Sequence, residues 1–199
     1  MKKWAYPLAI LSFLIFIVVA WNLKHPSLLS LDENLATLLG GNKFISTFHY
    51  LGNTDVIVTI ALVMLLYLAV RRNYQGMLLI LLTFGLGRVL NRALKLYFER
   101  PRPEMVDQLS SFSFPSSHSQ MSMLYLLTVA YIFSERFTNR KQKHILWITA
   151  IVLICLIGLS RIAGGHHYFT DVIAGWSIGY TWFILCILWY ELRRKNNSY

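Results

Sequence analysis

The sequence has little charge for its length, and acidic residues are especially scarce. Of 199 residues only 14% are charged, with nine Asp and Glu against 19 Lys and Arg, whereas 56% are hydrophobic. This composition excludes an ordinary soluble domain, in which about a quarter of the residues are charged. Cysteine is also scarce, since Cys155 and Cys186 are the two in the chain and both lie in apolar runs. A disulfide framework is therefore excluded as well.

Long apolar runs fill most of the chain and predict membrane-spanning helices, each of which needs about 20 residues. The absence of repeats, linkers and low-complexity tracts predicts one domain over residues 1–199. We therefore expect an all-α, polytopic membrane helix bundle with six transmembrane helices. The predicted spans are residues 5–21, 55–70, 74–98, 119–133, 144–159 and 171–190.

The net charge of +10 predicts an orientation in the membrane. With six spans both termini share a side, and that side carries eleven of the 19 Lys and Arg but two of the nine acids. We expect the protein in the cell membrane. The positive-inside rule then places both termini in the cytoplasm and the other connections outside. Since the charge reports topology, nucleic acid is not expected as a partner.

The longest outward connection, residues 22–54, has an amphipathic pattern. Ser30 and Glu33 match a capping box, and leucines at helical spacing follow until Gly40 and Gly41. We expect short amphipathic helices here, lying at the outer interface.

Polar residues concentrate in two other outward segments, 95–119 and 160–171. Lys95, Arg102 and Arg161 could clamp the oxygens of a phosphoryl group and stabilise its charge in the transition state. The segment PSSH, which contains Ser116 and Ser117, precedes a predicted span, where hydroxyls and free backbone N–H groups form an anion site. This pattern predicts phosphoryl chemistry at the outer membrane face.

Two histidines and a carboxylate suit covalent catalysis at that site. His167 and Asp171 are four residues apart, so one helical turn brings the carboxylate to the imidazole. A carboxylate that holds one ring nitrogen leaves the other free to attack. His118, on a separate helix, is then the candidate acid and base.

These segments together resemble the type 2 phosphatidic acid phosphatase family of integral-membrane lipid phosphatases. The family signature K-x6-RP, PSGH and SR-x5-H-x3-D matches three segments in order, namely Lys95–Pro103, Pro115–His118 and Ser160–Asp171. One departure is Ser117, which stands where the common form has glycine; its side chain could crowd the site or add a donor.

The resemblance implies a phosphatase without metal or cofactor that passes through a phosphohistidine on His167. Asp171 would orient His167, His118 would be the acid and base, and the phosphate would be held by Lys95, Arg102, Ser116 and Arg161. We add Ser117 to the predicted phosphate ligands because its hydroxyl could donate there. The substrate would be a phospholipid or polyprenyl phosphate. Short bacterial members make phosphatidylglycerophosphate the leading candidate and undecaprenyl pyrophosphate the alternative.

Two other classes of function remain open on the sequence. His118, His167 and Asp171 could ligate zinc in a metal-dependent hydrolase, although three nearby cations would repel a divalent ion. Intramembrane Arg88 and Arg92 could instead belong to a transporter.

Three further features of the sequence lie outside these motifs or beside them. Arg88, Arg92, Lys95 and Glu99 recur at helical spacing, and we expect their shared face to turn inward. The two arginines could receive an anionic head group, but pairing with Glu99, Asp107 or helix-end carbonyls is favoured. His166 is expected to be structural or to lie at the edge of the substrate. Gly175 and Gly179 predict close helix packing.

Overall fold

The computed structural model describes residues 4–104 and 111–196, and these residues form helices and no strand. In chain order, the α-helices of the described residues are α1 (Ala5–Trp21), α2 (Pro26–Leu39), α3 (Lys43–Thr47), α4 (Thr54–Val70), α5 (Tyr74–Ile80), α6 (Gly87–Phe98), α7 (Ser117–Ser134), α8 (Arg140–Ala163) and α9 (Phe169–Asn196). A 3-10 helix, Phe48–Gly52, follows α3, and a π-helical segment, Leu81–Leu86, joins α5 to α6.

All six predicted spans are helical, but their number as membrane spans is not confirmed. By length and composition three helices could cross a bilayer, namely Tyr74–Phe98, Arg140–Ala163 and Phe169–Lys195. The number rises to five if two bent pairs each count as one span: α1 with α2, bent by 100°, and Lys43–Gly52 with α4, bent by 45°. The helices α1 and α4 have 17 residues each. At 1.5 Å per residue they reach about 26 Å, slightly less than the hydrocarbon core of a bilayer.

The helix α7 lies at the centre of the bundle and packs against α8 and α9, while α1 packs on another side of α9. Its Leu124 is fully buried, as are Ile157 of α8 and Ile187 of α9. Because these interiors are closely packed, the ends of the three helices hold fixed positions relative to one another.

Two glycines bring α9 unusually close to α7. A methyl group added at Gly175 would lie 2.7 Å from the carbonyl oxygen of Ser116, and one added at Gly179 would lie 3.0 Å from that of Gln120. The predicted close packing of Gly175 and Gly179 is therefore confirmed. It draws the start of α9 onto the start of α7, where two of the sequence motifs lie.

Residues 22–54 contain helices as predicted, but the start of the first helix was predicted wrongly. The helix α2 begins at Pro26, and the Nδ1 of His25 accepts a hydrogen bond from the backbone N–H of Ser27, 3.3 Å away. Ser30 and Glu33 lie inside this helix, so they form no capping box; Pro26 suits the first helical position because its missing N–H needs no partner there.

The inward face of α6 also differs from the prediction. Arg88, Arg92 and Glu99 are exposed, whereas Gly87, Asn91 and Lys95, spaced by four residues, are buried. The prediction that the two arginines turn inward was therefore wrong. Gly87 explains the rotation, because a methyl group there would lie 2.4 Å from Leu124, so this side of α6 fits closely against α7. Asp107, a predicted partner of the arginines, lies outside the described residues.

Candidate active site

The three sequence motifs meet at one end of the bundle, where α6 and α8 end and α7 and α9 begin. The backbone N–H of Ser116 donates to the carbonyl oxygen of Asp171, 3.0 Å away. The Nη1 of Arg102 donates to the carbonyl oxygen of His166, 2.8 Å away. These contacts join the second and first motifs to the third.

His167 is buried between a carboxylate and a guanidinium. Its Nδ1 lies 3.3 Å from the Oδ2 of Asp171, and its Nε2 lies 3.2 Å from the Nη1 of Arg102. An arginine N–H can only donate, so Nε2 accepts that bond and the proton of the neutral ring sits on Nδ1, facing Asp171. The contacts therefore favour the tautomer whose Nε2 lone pair is available as a nucleophile.

The electrostatic surroundings keep His167 neutral. Burial lowers the pKa of His167 well below 6.5, and the positive charges of Lys95, Arg102 and Arg161 lower it further. Burial also lowers the pKa of Arg102, and the negative charge of Asp171 partly opposes this effect. A neutral imidazole among cations is a nucleophile beside a site for an anion.

Lys95 and Arg161 are both buried at this end of the bundle. The ammonium group of Lys95 donates to the carbonyl oxygens of Phe112 and Ser113, the latter 3.2 Å away. The Nε of Arg161 is buried and has no hydrogen-bond partner among residues 4–104 and 111–196. Because a buried charged donor is costly to leave unpaired, Arg161 marks a place where an acceptor such as a phosphate oxygen would be stabilised.

The two serines at the start of α7 hold different positions. Ser116 is fully buried and caps the helix, since its Oγ accepts a hydrogen bond from the backbone N–H of Ser119, 3.4 Å away. The Oγ of Ser117 donates to the Oδ1 of Asn91, 2.5 Å away. Their predicted contacts with phosphate stay predictions, and the side chain of Ser117 fits here beside Asn91 on α6.

His118 is held in place by residues that lie outside the three sequence motifs. Its Nε2 lies 3.2 Å from the Oδ1 of Asn53. A methyl group added at Gly52 would lie 2.5 Å from the Cδ2 of His118. The segment before α4 therefore packs against one edge of the His118 ring and pairs with one of its nitrogens.

His166 lies at the edge of the same site. Its Nδ1 is buried without a hydrogen-bond partner in the described parts of the chain. Burial lowers the pKa of His166 to about 4, and the charges of Arg161 and Arg102 contribute. These observations fit either of its predicted roles.

Sequence reasoning missed several residues that support the site. The most prominent is Arg100, whose guanidinium forms ion pairs with Asp171 at 2.7 Å and with Asp32 at 2.9 Å. A signal for Arg100 exists, because Arg-Pro occurs twice in succession, at Arg100 and at Arg102. Motif spacing selects the second of these pairs. Asp32 and Asn53 had no comparable signal.

The zinc alternative can be compared with the described geometry. Among residues 4–104 and 111–196, no group of three or more His, Cys, Asp and Glu side chains is arranged to hold a metal ion.

Comparison with known proteins gives consistent matches. The model of the PAP2 superfamily matches residues 76–195. Phosphatidylglycerophosphatase B of Bacillus subtilis is 34% identical over 186 residues, which cover 87% of this chain and 90% of that protein. The crystal structure of the first transmembrane PAP2 type phosphatidylglycerolphosphate phosphatase from Bacillus subtilis matches with a TM-score of 0.79 and 32% identity, covering 92% of this chain and 96% of that one. The undecaprenyl-diphosphatase of Sulfolobus acidocaldarius is 25% identical over 197 residues, covering 90% and 88%.

Proposed function

We propose that this chain, which belongs to the PAP2 superfamily and is a multi-pass membrane phosphatase, removes the terminal phosphate of phosphatidylglycerophosphate through a phosphohistidine on His167. The observation that carries the mechanism is the fixed state of His167, with Nδ1–H toward Asp171 and the Nε2 lone pair beside Arg102. Such a ring needs no further base before it attacks phosphorus.

In the first step the Nε2 of His167 bonds to phosphorus and the phosphorus–oxygen bond to the lipid breaks. The leaving lipid oxygen takes a proton from His118 and departs as an alcohol. Asp171 stabilises the positive charge that the phosphorylated ring carries. In the second step His118 accepts a proton from water, the water oxygen bonds to phosphorus, and inorganic phosphate and free His167 are released.

The phosphate would be held by three cations and by the start of α7. Lys95, Arg102 and Arg161 surround His167 closely enough to shift its pKa. The backbone N–H group of Ser117 lies at the start of α7, where the helix dipole favours an anion. On binding, phosphate oxygens would replace the carbonyl oxygens that now accept from Lys95, and they would pair the buried Nε of Arg161.

Similarity to the Bacillus subtilis phosphatase over most of both chains supports phosphatidylglycerophosphate as the substrate. The similarity to an undecaprenyl-diphosphatase supports undecaprenyl pyrophosphate as a second candidate. Both lipids present a terminal phosphate on a membrane-anchored tail, so the same catalytic groups would serve either one.

The orientation of the chain is part of the proposal. The excess of Lys and Arg at the side of the termini supports cytoplasmic termini and an active site at the extracytoplasmic face. The substrate would then enter from the outer leaflet with its tails among the helices.

Phosphate release by the purified protein tests substrate and mechanism together. The substrates would be phosphatidylglycerophosphate, undecaprenyl pyrophosphate and phosphatidic acid, each with and without EDTA. We expect fastest release from phosphatidylglycerophosphate, no effect of EDTA, and no turnover by His167→Ala. The control is His144→Ala, which changes an exposed histidine on α8 and should leave the rate unchanged. Turnover by His167→Ala at the normal rate would disprove the phosphohistidine, and activity lost in EDTA and restored by zinc would indicate a metal-dependent hydrolase.

A further inference from the structure

A buried ion-pair network lies behind the predicted catalytic carboxylate. Asp32, Arg100 and Asp171 are 2%, 8% and 0% exposed. The Nη1 of Arg100 lies 2.7 Å from the Oδ1 of Asp171, and its Nη2 lies 2.9 Å from the Oδ2 of Asp32. One guanidinium thus joins two carboxylates from distant parts of the chain.

Thr170 closes this network. Its backbone N–H donates to the Oδ1 of Asp32 at 2.8 Å, and its hydroxyl lies 2.7 Å from both the Oδ2 of Asp32 and the Nη1 of Arg100. A guanidinium has no acceptor, so the hydroxyl accepts from Arg100 and donates to Asp32. Both oxygens of Asp32 are therefore used, and every contact is charge-assisted.

The backbone directs Arg100 into this position. The helix α6 ends at Phe98, and Glu99 adopts a left-handed conformation with φ of 46°. The backbone N–H of Ser113 donates to the carbonyl oxygen of Arg100 at 2.8 Å, and the guanidinium carbon lies 4.0 Å from the centre of the Tyr168 ring. Arg100 is thus held by its backbone, by a ring and by two carboxylates, and its two ion pairs leave it a weaker candidate for binding phosphate than Arg102.

The two oxygens of Asp171 have separate partners. Its Oδ1 accepts from Arg100, whereas its Oδ2 accepts from the Nδ1 of His167 and from the backbone N–H of Tyr168, at 3.3 and 3.0 Å. Any change in the position or charge of Arg100 therefore acts on the same carboxylate that holds His167.

From these contacts we propose that Asp32 and Arg100 are positioning residues for the reaction, and that Asp32 shares the charge of Arg100 so that Asp171 keeps enough negative charge to hold and stabilise His167. This proposal rests on the proposed function, because it assigns the network a role in forming the phosphohistidine. It also assigns a positioning role to α2, a helix that lies outside the part of the chain matched by the family model.

The charge balance explains why the second carboxylate matters. A single buried Arg100–Asp171 pair would be neutral, and the guanidinium would cancel the negative charge of the carboxylate that holds His167. With Asp32 present, two negative charges share one positive charge, so the network keeps one net negative charge beside the imidazole. That charge stabilises the positive ring that forms when His167 bonds to phosphorus.

Asp32→Asn tests this role, with Glu33→Gln as its matched control. Glu33 is the next residue on α2, is exposed, and loses the same charge on substitution. We expect Asp32→Asn to lower kcat by about 10- to 100-fold, as mispositioned catalytic groups do. Its KM should stay within about twofold, because no predicted phosphate ligand is changed. Glu33→Gln should change neither constant.

A measurement independent of turnover complements the kinetics. In protein labelled with 15N-histidine, the nitrogen shifts of His167 report which ring nitrogen carries the proton. We expect protonated Nδ1 in the normal protein and in Glu33→Gln, and a mixture of tautomers in Asp32→Asn. Normal kcat together with normal His167 shifts in Asp32→Asn would overturn the proposal.

A second variant covers the case in which Asp32→Asn does not fold. Thr170→Val keeps the shape of the side chain and the backbone bond to Asp32 but removes the hydroxyl that links Asp32 to Arg100. We expect a severalfold lower kcat with unchanged KM, and an unchanged kcat here would overturn the proposal.

Failure of this proposal and failure of the proposed function give different results. If His167→Ala retains turnover, the phosphohistidine mechanism fails, whatever Asp32→Asn does. If His167→Ala is inactive and folded Asp32→Asn has normal kcat and normal His167 shifts, the mechanism stands and the role of Asp32 alone is refuted.

Discussion

Gly52→Ala is a sensitive test of whether the position of His118 matters. Gly52 lies just before α4 and carries no catalytic group. A methyl group there would lie 2.5 Å from the Cδ2 of His118 and 3.0 Å from the Cγ2 of Ile157. Non-bonded carbons pack at about 3.5 to 4.0 Å, so the imidazole must move by about 1 Å. The fully buried Ile157 blocks movement of the glycine segment in the other direction.

A displacement of about 1 Å costs up to about 100-fold in rate, which corresponds to about 2.7 kcal/mol in the activation free energy. The hydrogen bond between His118 and Asn53 would be lost as well. We therefore expect Gly52→Ala to lower kcat by one to two orders of magnitude, with KM little changed because His118 is not a predicted phosphate ligand.

The assay is phosphate release from phosphatidylglycerophosphate, with thermal unfolding of each variant to measure the folded fraction. Gly85→Ala is the matched control, since a methyl group at Gly85 has nothing within 4 Å. Folded Gly52→Ala with a normal kcat would refute the assignment of His118 as the acid and base.

Three further predictions follow from the same site. Gly175→Ala places a methyl group 2.7 Å from the carbonyl oxygen of Ser116; we expect the free energy of unfolding to fall by about 1 to 3 kcal/mol, and an unchanged unfolding temperature would contradict the close packing. Burial lowers the pKa of His166 to about 4, so the folded state favours its neutral form. Stability from this group is fully present above about pH 6.5 and is lost as the pH falls toward 4; His166→Gln should show a smaller drop in unfolding temperature over that window, and an equal drop would refute this. Vanadate, which resembles a pentacoordinate phosphoryl group, should inhibit competitively with the lipid, whereas purely non-competitive inhibition would place the anion site elsewhere.

The sequence predicted the helices from local apolar patterns, and it predicted the meeting of the motifs because their segments lie at the same predicted membrane face. Apolar runs identified every long helix to within a few residues. The spacing of four between His167 and Asp171 predicted their contact, which the structure shows at 3.3 Å. The pair Gly175 and Gly179 predicted the close approach of two helices.

The rotation of α6 could not be predicted from charge spacing alone. Arg88, Arg92 and Lys95 share one face of the helix. Because a charged side chain is costly to expose to lipid, all three were predicted to turn inward. Close packing at Gly87 decides instead, because it places Gly87, Asn91 and Lys95 against the bundle and leaves the arginines exposed.

The supporting residues of the site could not be predicted because their roles arise through tertiary contacts. Asp32 and Glu33 are adjacent acids on one amphipathic helix, and nothing local distinguishes them. The structure buries Asp32 against Arg100 and Thr170 and leaves Glu33 exposed. A motif identifies the residues that touch substrate, whereas the residues that set the charge and position of those groups depend on which face of a remote helix packs inward. Adjacent residues with the same chemistry, such as Asp32 and Glu33, are therefore the sharpest controls for separating a positioning role from a general effect of charge.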